Sequence, residues 1–271
     1  MRIDPSYPPL ALLQRVTEEY PDAWEKMKLF HEMNGKNGLP RWNQWCYAPM
    51  SAAMAIVMGD SPGTYENISA ATKATQEIAA LAPWIENKDV FIVGRSLQER
   101  LFAQEDGEFE IDSKALYHIP YRSFYVQFAD GFRYIDSPCH GVFVHLEDDV
   151  NSGDHELRLL YLKETGKTIG IPIHLGEKTV RSSLSHTVNE ALKNLSDDNP
   201  EIRRAMITTL EQRNAELAAH RQALQIVLYL CKKSIENAPN PEAAFLNTKI
   251  RSGEIHIHFY DSEKEAARNA N

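Results

Sequence analysis

The chain has no apolar run approaching the roughly 20 residues that a membrane-spanning helix needs. It also lacks glycine-rich phosphate loops: neither a Walker sequence nor GxGxxG occurs among its 13 glycines, so the common nucleotide-phosphate cradles are excluded. Cysteine is scarce. Cys46, Cys139 and Cys231 are odd in number and far apart, which excludes a disulfide framework and the short-spaced pairs of zinc and redox sites. Clustered basic residues are missing as well. A formal charge of −9 and a pI near 5.6 repel phosphate backbones, so direct nucleic-acid binding is not expected, while solubility or a basic protein partner is. The first ten residues carry Asp4 and three prolines where a secretory signal needs a basic start and an apolar run. The expectation is a cytoplasmic protein without repeats or low-complexity tracts.

What is present is ordinary globular material, 43% hydrophobic and 25% charged over 271 residues, enough for a sizeable core. Pro8 and Pro9 open a helix that Tyr20-Pro21 ends, and a second helix over 22–33 stops at the glycine-rich run 34–38. The aromatic connector Trp42, Trp45, Tyr47 follows. Pro49 then starts a helix apolar nearly all round, as a buried helix is. A further helix is expected over 65–82, a short strand at 90–93, another helix after Gly94, and an exposed acidic turn at 105–110.

Residues 121–175 show the clearest periodicity. Phe124, Val126 and Phe128 alternate with Tyr125 and Gln127; Val142, Val144 and Leu146 with Phe143 and His145; Ile169, Ile171 and Ile173 with Gly170, Pro172 and His174. A fourth run, 156–163, is apolar on both faces and reads as an inner strand, whereas Pro172 places its own strand at an edge. Short turn-forming links favour an antiparallel meander. Helices over 179–195 and from Pro200 toward Asn237 supply the cover, through the apolar stripe Leu224, Val227, Leu228, Leu230, Cys231. Residues 254–260 alternate like a strand. The fold class is therefore α+β: a four-stranded antiparallel meander packed against N-terminal helices and a long C-terminal helical block. The helical region 1–112 and the sheet-bearing region 113–260 are expected to pack as one unit, with 261–271 a disordered tail.

Chemistry-bearing groups are few. Cys139 and His140, with Asp136 upstream, are adjacent strand residues pointing to opposite faces, which denies them a nucleophile–base couple. His256 with His258, or His145 with His174, could each give a metal two ligands, with Glu254 or Glu147 as a third. The carboxylates Glu147, Asp148, Asp149, Asp154 and Glu156 lack EF-hand spacing and bracket a turn, where they read as solvated. No cofactor is demanded. If Phe124, Val126, Val144 and Ile171 face helices, then Tyr121, Tyr125, Phe143, His145, Arg158 and His174 line the opposite face, a mixture of rings and polar groups suited to binding a peptide or protein. The N-terminal helices are the alternative claimant for that face.

The order "LYHIPYRSFYVQF", "HGVFVHLEDD", "LRLLYLKE", "IPIHLGEKTVRSSL" and "LQIVLYLCKKSIENAP", with "KMKLFHEM" upstream, resembles the second of the type V-A anti-CRISPR families and its phage- and plasmid-borne relatives. The likeness runs from Trp24 to Pro241 and carries no catalytic signature. It implies a non-enzymatic protein that engages the N-terminal part of a type V-A CRISPR nuclease as it is made and lowers its messenger RNA and protein. Any association with ribosome or messenger is implied only indirectly. The sequence departs from the family at its end: "GEIHIHFYDSEKEAARNAN" keeps His-x-His near aromatics but finishes acidic where the family inhibitor is basic. Two other readings stand beside this one: a metal-dependent hydrolase or nuclease using the histidines, and a mobile-element accessory protein that binds a different partner.

Overall fold

A computed structural model describes residues 6–59, 65–104, 110–135, 137–150, 152–193, 200–237 and 254–260. Residues 105–109 of the turn expected at 105–110, Asp136 and the tail 261–271 lie outside the described residues.

Helix α1 (Pro8–Glu19) begins on its prolines, and α2 (Ala23–Glu32) is followed by Gly35, Asn37 and Gly38, all at positive φ. Helix α3 (Met50–Met58) starts just after Pro49. It buries Ala52 and Ala53 but leaves Met54, Ile56, Val57 and Met58 half-buried, so it is a layer helix and not the fully buried one expected. Helix α4 (Tyr65–Asn87) runs past Pro83, where a break was expected. Proline costs a helix one amide donor; the two turns around it are nonetheless kept because Trp84 is fully buried there, its Nε1 donating to the Asp89 carbonyl at 3.0 Å.

The sheet gathers β1 (Asp89–Val93), β2 (Ser123–Gln127), β4 (Ser137–Asp148), β5 (His155–Lys163), β6 (Thr168–His174) and β7 (His256–Tyr260), with the short β3 (Arg133–Tyr134) paired to β4. Its order is β6-β5-β4-β2-β1-β7. Strands β2, β4, β5 and β6 form the expected antiparallel meander, with β5 inside and the Pro172-bearing β6 at the edge. The sheet as a whole is mixed, however: β1 runs parallel to both β2 and β7, which corrects the four-stranded antiparallel description. Parallel neighbours need a long crossover, and helix α5 (Arg95–Phe102) with the 3-10 turn Ser113–His118 supplies it between β1 and β2.

One sheet face, carrying Phe124, Val126, Val142, Val144 and Leu146, packs on Leu224, Val227, Leu228 and Cys231 of α7 (Pro200–Asn237), with Val180 and Leu184 of α6 (Val180–Lys193) joining. The other, carrying Val90, Tyr125, Phe143, Leu160 and Leu162, packs on α1 to α4. A bulge between Cys139 and Gly141 resets the alternation, so Cys139 shares the α7 face with Val142. The bulge also lays Gly141 against β2. A Cβ there would come 2.3 Å from the Val126 carbonyl and 2.4 Å from Tyr125 Oη. Gly141→Ala is therefore expected to destabilise the chain by about 2–4 kcal/mol, read as a lowered urea midpoint; an unchanged midpoint would mean that β2 and β4 separate easily.

Candidate functional site at the covered end of the sheet

Register places two polar rows across the face that looks toward α1 to α4. Ser123, His145, Arg158 and Pro172 are neighbours on β2, β4, β5 and β6; Glu147, Glu156 and His174 form the next row. The hydrophobic rows beyond them lie under α4, where Trp84 meets Phe143 edge-on at 5.3 Å. The polar rows lie nearer the segment joining α2 to α3. That segment is a strap held by two adjacent carboxylates pointing to opposite faces: the Met50 amide, at the start of α3, donates to Glu147 Oε1 at 2.6 Å, and the Asn43 amide and side chain donate to Asp148 Oδ2 at 2.7 Å each.

The face expected to stand open is thus covered. Tyr125 and Phe143 are fully buried and His145 is 4% exposed, because α4 and the strap bury the alternate residues as thoroughly as α7 buries the others. Arg158 and His174 keep 18% and 24% of their side chains exposed at the β6 end. Tyr121 leaves the row altogether. It sits half-buried on the α7 side, with its ring 6.1 Å from Phe91 and 5.8 Å from His258. Nor are the carboxylates solvated as a set: Glu147, Asp148 and Glu156 are buried, and Asp154 is exposed beside Gly153 in the turn.

Electrostatics in the two rows follow from that cover. The Arg158 guanidinium pairs with Glu156 Oε2 as an ion pair whose N–H does not point at the oxygen, and His174 Nδ1 lies 3.3 Å from Glu156 Oε1. Burial pushes the Glu147 carboxyl up to about 8, against the lowering effects of the Met50 amide and Arg158. Burial, with Arg158 adding to it, pushes the His145 imidazole down to about 3, so that ring is neutral. The remaining candidates separate. Cys139 donates to the Gly141 and Leu162 carbonyls while His140 meets Tyr125 Oη at 2.7 Å, and burial lifts the thiol to about 12, leaving no nucleophile–base couple. His258 Nε2 is 2.8 Å from buried Asp89, and its ring stacks on Phe91. Among the described residues no three or more His, Cys, Asp or Glu side chains come together as ligands for a metal ion.

A group that the sequence reading did not single out lies at the rim of the same end. Trp45 sits edge-on to Tyr117 at 5.5 Å and to His155 at 5.0 Å; Tyr117 Oη is 2.7 Å from His155 Nδ1, and Asn43 Nδ2 is 3.2 Å from His155 Nε2. All three rings are half-buried, and Asn43 is exposed. The aromatic connector was the available signal, but nothing local in the sequence brings 42–47 to residues 117 and 155.

A model of the AcrVA2-like proteins, the anti-CRISPR type V subtype A2 family, matches residues 93–265. The chain belongs to that family. The matched span takes in the polar rows, Tyr117 and His155, while α1 to α4 and the strap precede it. The crystal structure of AcrVA2 has a similar fold, with a TM-score of 0.63 at 10% identity over 97% of this chain and 88% of that chain. No curated protein matches. Among the described residues no helix is long and apolar enough to cross a membrane.

Proposed function

We propose that this chain counters a type V-A CRISPR nuclease by binding the nuclease's N-terminal segment as it is synthesised, and so lowers the amount of nuclease made. In this reading it is a binder without catalysis of its own, carried by a phage or plasmid and acting in the cytoplasm of the bacterial host. The family match over 93–265 is the observation that carries the reading. The rim supports it: Trp45, Tyr117 and His155 present large, half-buried rings beside the polar groups of Asn43 and Asp148, a combination that gives contact area at low entropy cost. Of the six residues chosen from sequence, Tyr121, Arg158 and His174 reach the surface and are proposed as contacts. Tyr125, Phe143 and His145 are proposed to hold the frame beneath.

The test is titration of a labelled peptide copying the nuclease N-terminus against the full chain. Trp45→Ala and Tyr117→Ala are each expected to weaken capture by about 2 kcal/mol, roughly 30-fold, with circular dichroism unchanged. Equal affinity in folded variants would remove the rim from the reading, and no capture by the unaltered protein would remove peptide recognition itself.

A further inference from the structure

Five buried polar atoms at the covered end of the sheet have no hydrogen-bond partner within the chain, and with Glu156 Oε2 met by its ion pair to Arg158 four are left: both ring nitrogens of His145, Oε2 of Glu147 and Nε of Arg158. They are neighbours by construction. His145 and Arg158 are register partners on β4 and β5, and Glu147 lies two residues further along the same face of β4. His145 is 4% and Glu147 2% exposed, so bulk solvent does not serve them. A buried group left unpaired costs roughly 1–3 kcal/mol. Four together would rival the whole net stability of a domain, about 5–15 kcal/mol. A group outside the chain's own atoms would complete this set.

Its chemistry follows from the donors and acceptors available. A neutral imidazole offers one donor and one acceptor, Arg158 Nε–H only donates, and Glu147 Oε2 accepts when ionised or donates when protonated. An anion entering here would meet Glu147 and Glu156, and a cation would meet the Arg158 guanidinium. The set therefore fits a small neutral molecule that donates and accepts at once. We propose that His145, Glu147 and Arg158 enclose an internal water site between strands β4 and β5 and the first turn of α3. Water in such a place makes two to four hydrogen bonds and is part of the fold. Arg158 and His174, partly exposed at the β6 end, give it a path for exchange with solvent. The strap and α3 then rest on a wet seam at this end of the sheet, in contrast to the dry contact of Trp84 on Phe143.

Crystals of the full chain that resolve ordered solvent test this directly. Density for water within hydrogen-bonding distance of at least two of the three side chains is expected; His145, Glu147 and Arg158 turned to bond one another, with nothing between them, would overturn the site. In solution, relaxation dispersion of oxygen-labelled water counts long-lived internal waters. His145→Leu is expected to remove at least one, and an unchanged count in a folded variant would overturn the proposal. Should His145→Leu fail to fold, Arg158→Met is measured in its place, with loss of a water supporting the site and an unchanged count contradicting it.

Discussion

Trp84→Ala is expected to lower stability by about 3–5 kcal/mol, the largest effect of any single truncation considered for this chain. Three losses coincide at that position. The indole is fully buried, its edge-on contact with Phe143 packs α4 on the sheet, and its N–H holds the Asp89 carbonyl at the start of β1. Asp89 in turn pairs with His258 on β7, so β1, β7 and the helical layer are fixed through one residue. Urea denaturation should show a midpoint far below that of the unaltered chain with a similar slope. Trp84→Phe should fall between the two, since it keeps most of the apolar surface and loses the donor. A truncation costing under about 1 kcal/mol would mean that the helical layer sits loosely on the sheet.

Glu147→Gln should change how stability depends on pH. The folded chain holds the Glu147 proton far more tightly than an unfolded chain does, with the carboxyl raised from 4.5 to about 8. Its stabilising contribution is therefore complete below about pH 4.5 and is lost as pH rises through about 8. Glutamine keeps an oxygen for the Met50 amide and carries no charge. At pH 5 the variant and the unaltered chain should be close, and at pH 9 the variant should be more stable by about 2–4 kcal/mol. Melting temperatures at the two pH values check this. Parallel curves would show that Glu147 is solvated and that the cover over the polar rows opens. His145 has the opposite sign: its imidazole is depressed to about 3, so burying it neutral costs stability as pH falls below 6.5.

These two residues also show what was legible in the sequence. Alternation in 124–128, 142–146 and 169–173 identified the strands, the run 156–163 with leucines on both faces was an inner strand, and Pro172 marked an edge, because each of those is a property of one segment. The partners of β1 and β7 were not legible. A five-residue strand such as 89–93 says nothing about which neighbour it will join, and its parallel pairing depends on where α5 and the 3-10 turn return the chain. Tyr125, Phe143, His145 and Arg158 looked like an open amphipathic face since rings and charges alternate there with aliphatics. In the fold, the two-residue period of β5 puts Arg158 and Glu156 on one face as an ion pair, which lets a polar row lie under a helix layer. The same blindness applies to Glu147 and Asp148. As sequence they are acids next to a turn, and only the return of the strap 43–50 shows that each is an acceptor for a distant backbone amide.

The strap between α2 and α3 serves both fold and surface. It carries Trp45 to Tyr117 and His155 and anchors on Glu147 and Asp148, so the rings proposed to meet a partner sit on the same segment that covers Glu147. Fold and proposed recognition surface therefore share their anchoring groups, and variants at Trp45 or Tyr117 need a stability measurement beside every binding measurement.

Expression of a reporter that begins with the N-terminal segment of a cognate type V-A nuclease, with and without this protein in the same cell, tests the central reading most directly. Reporter protein and messenger are both expected to fall when the native segment is present and to be untouched when its codons encode a scrambled peptide. Equal reporter levels with the native segment, in cells where the protein accumulates folded, would contradict it.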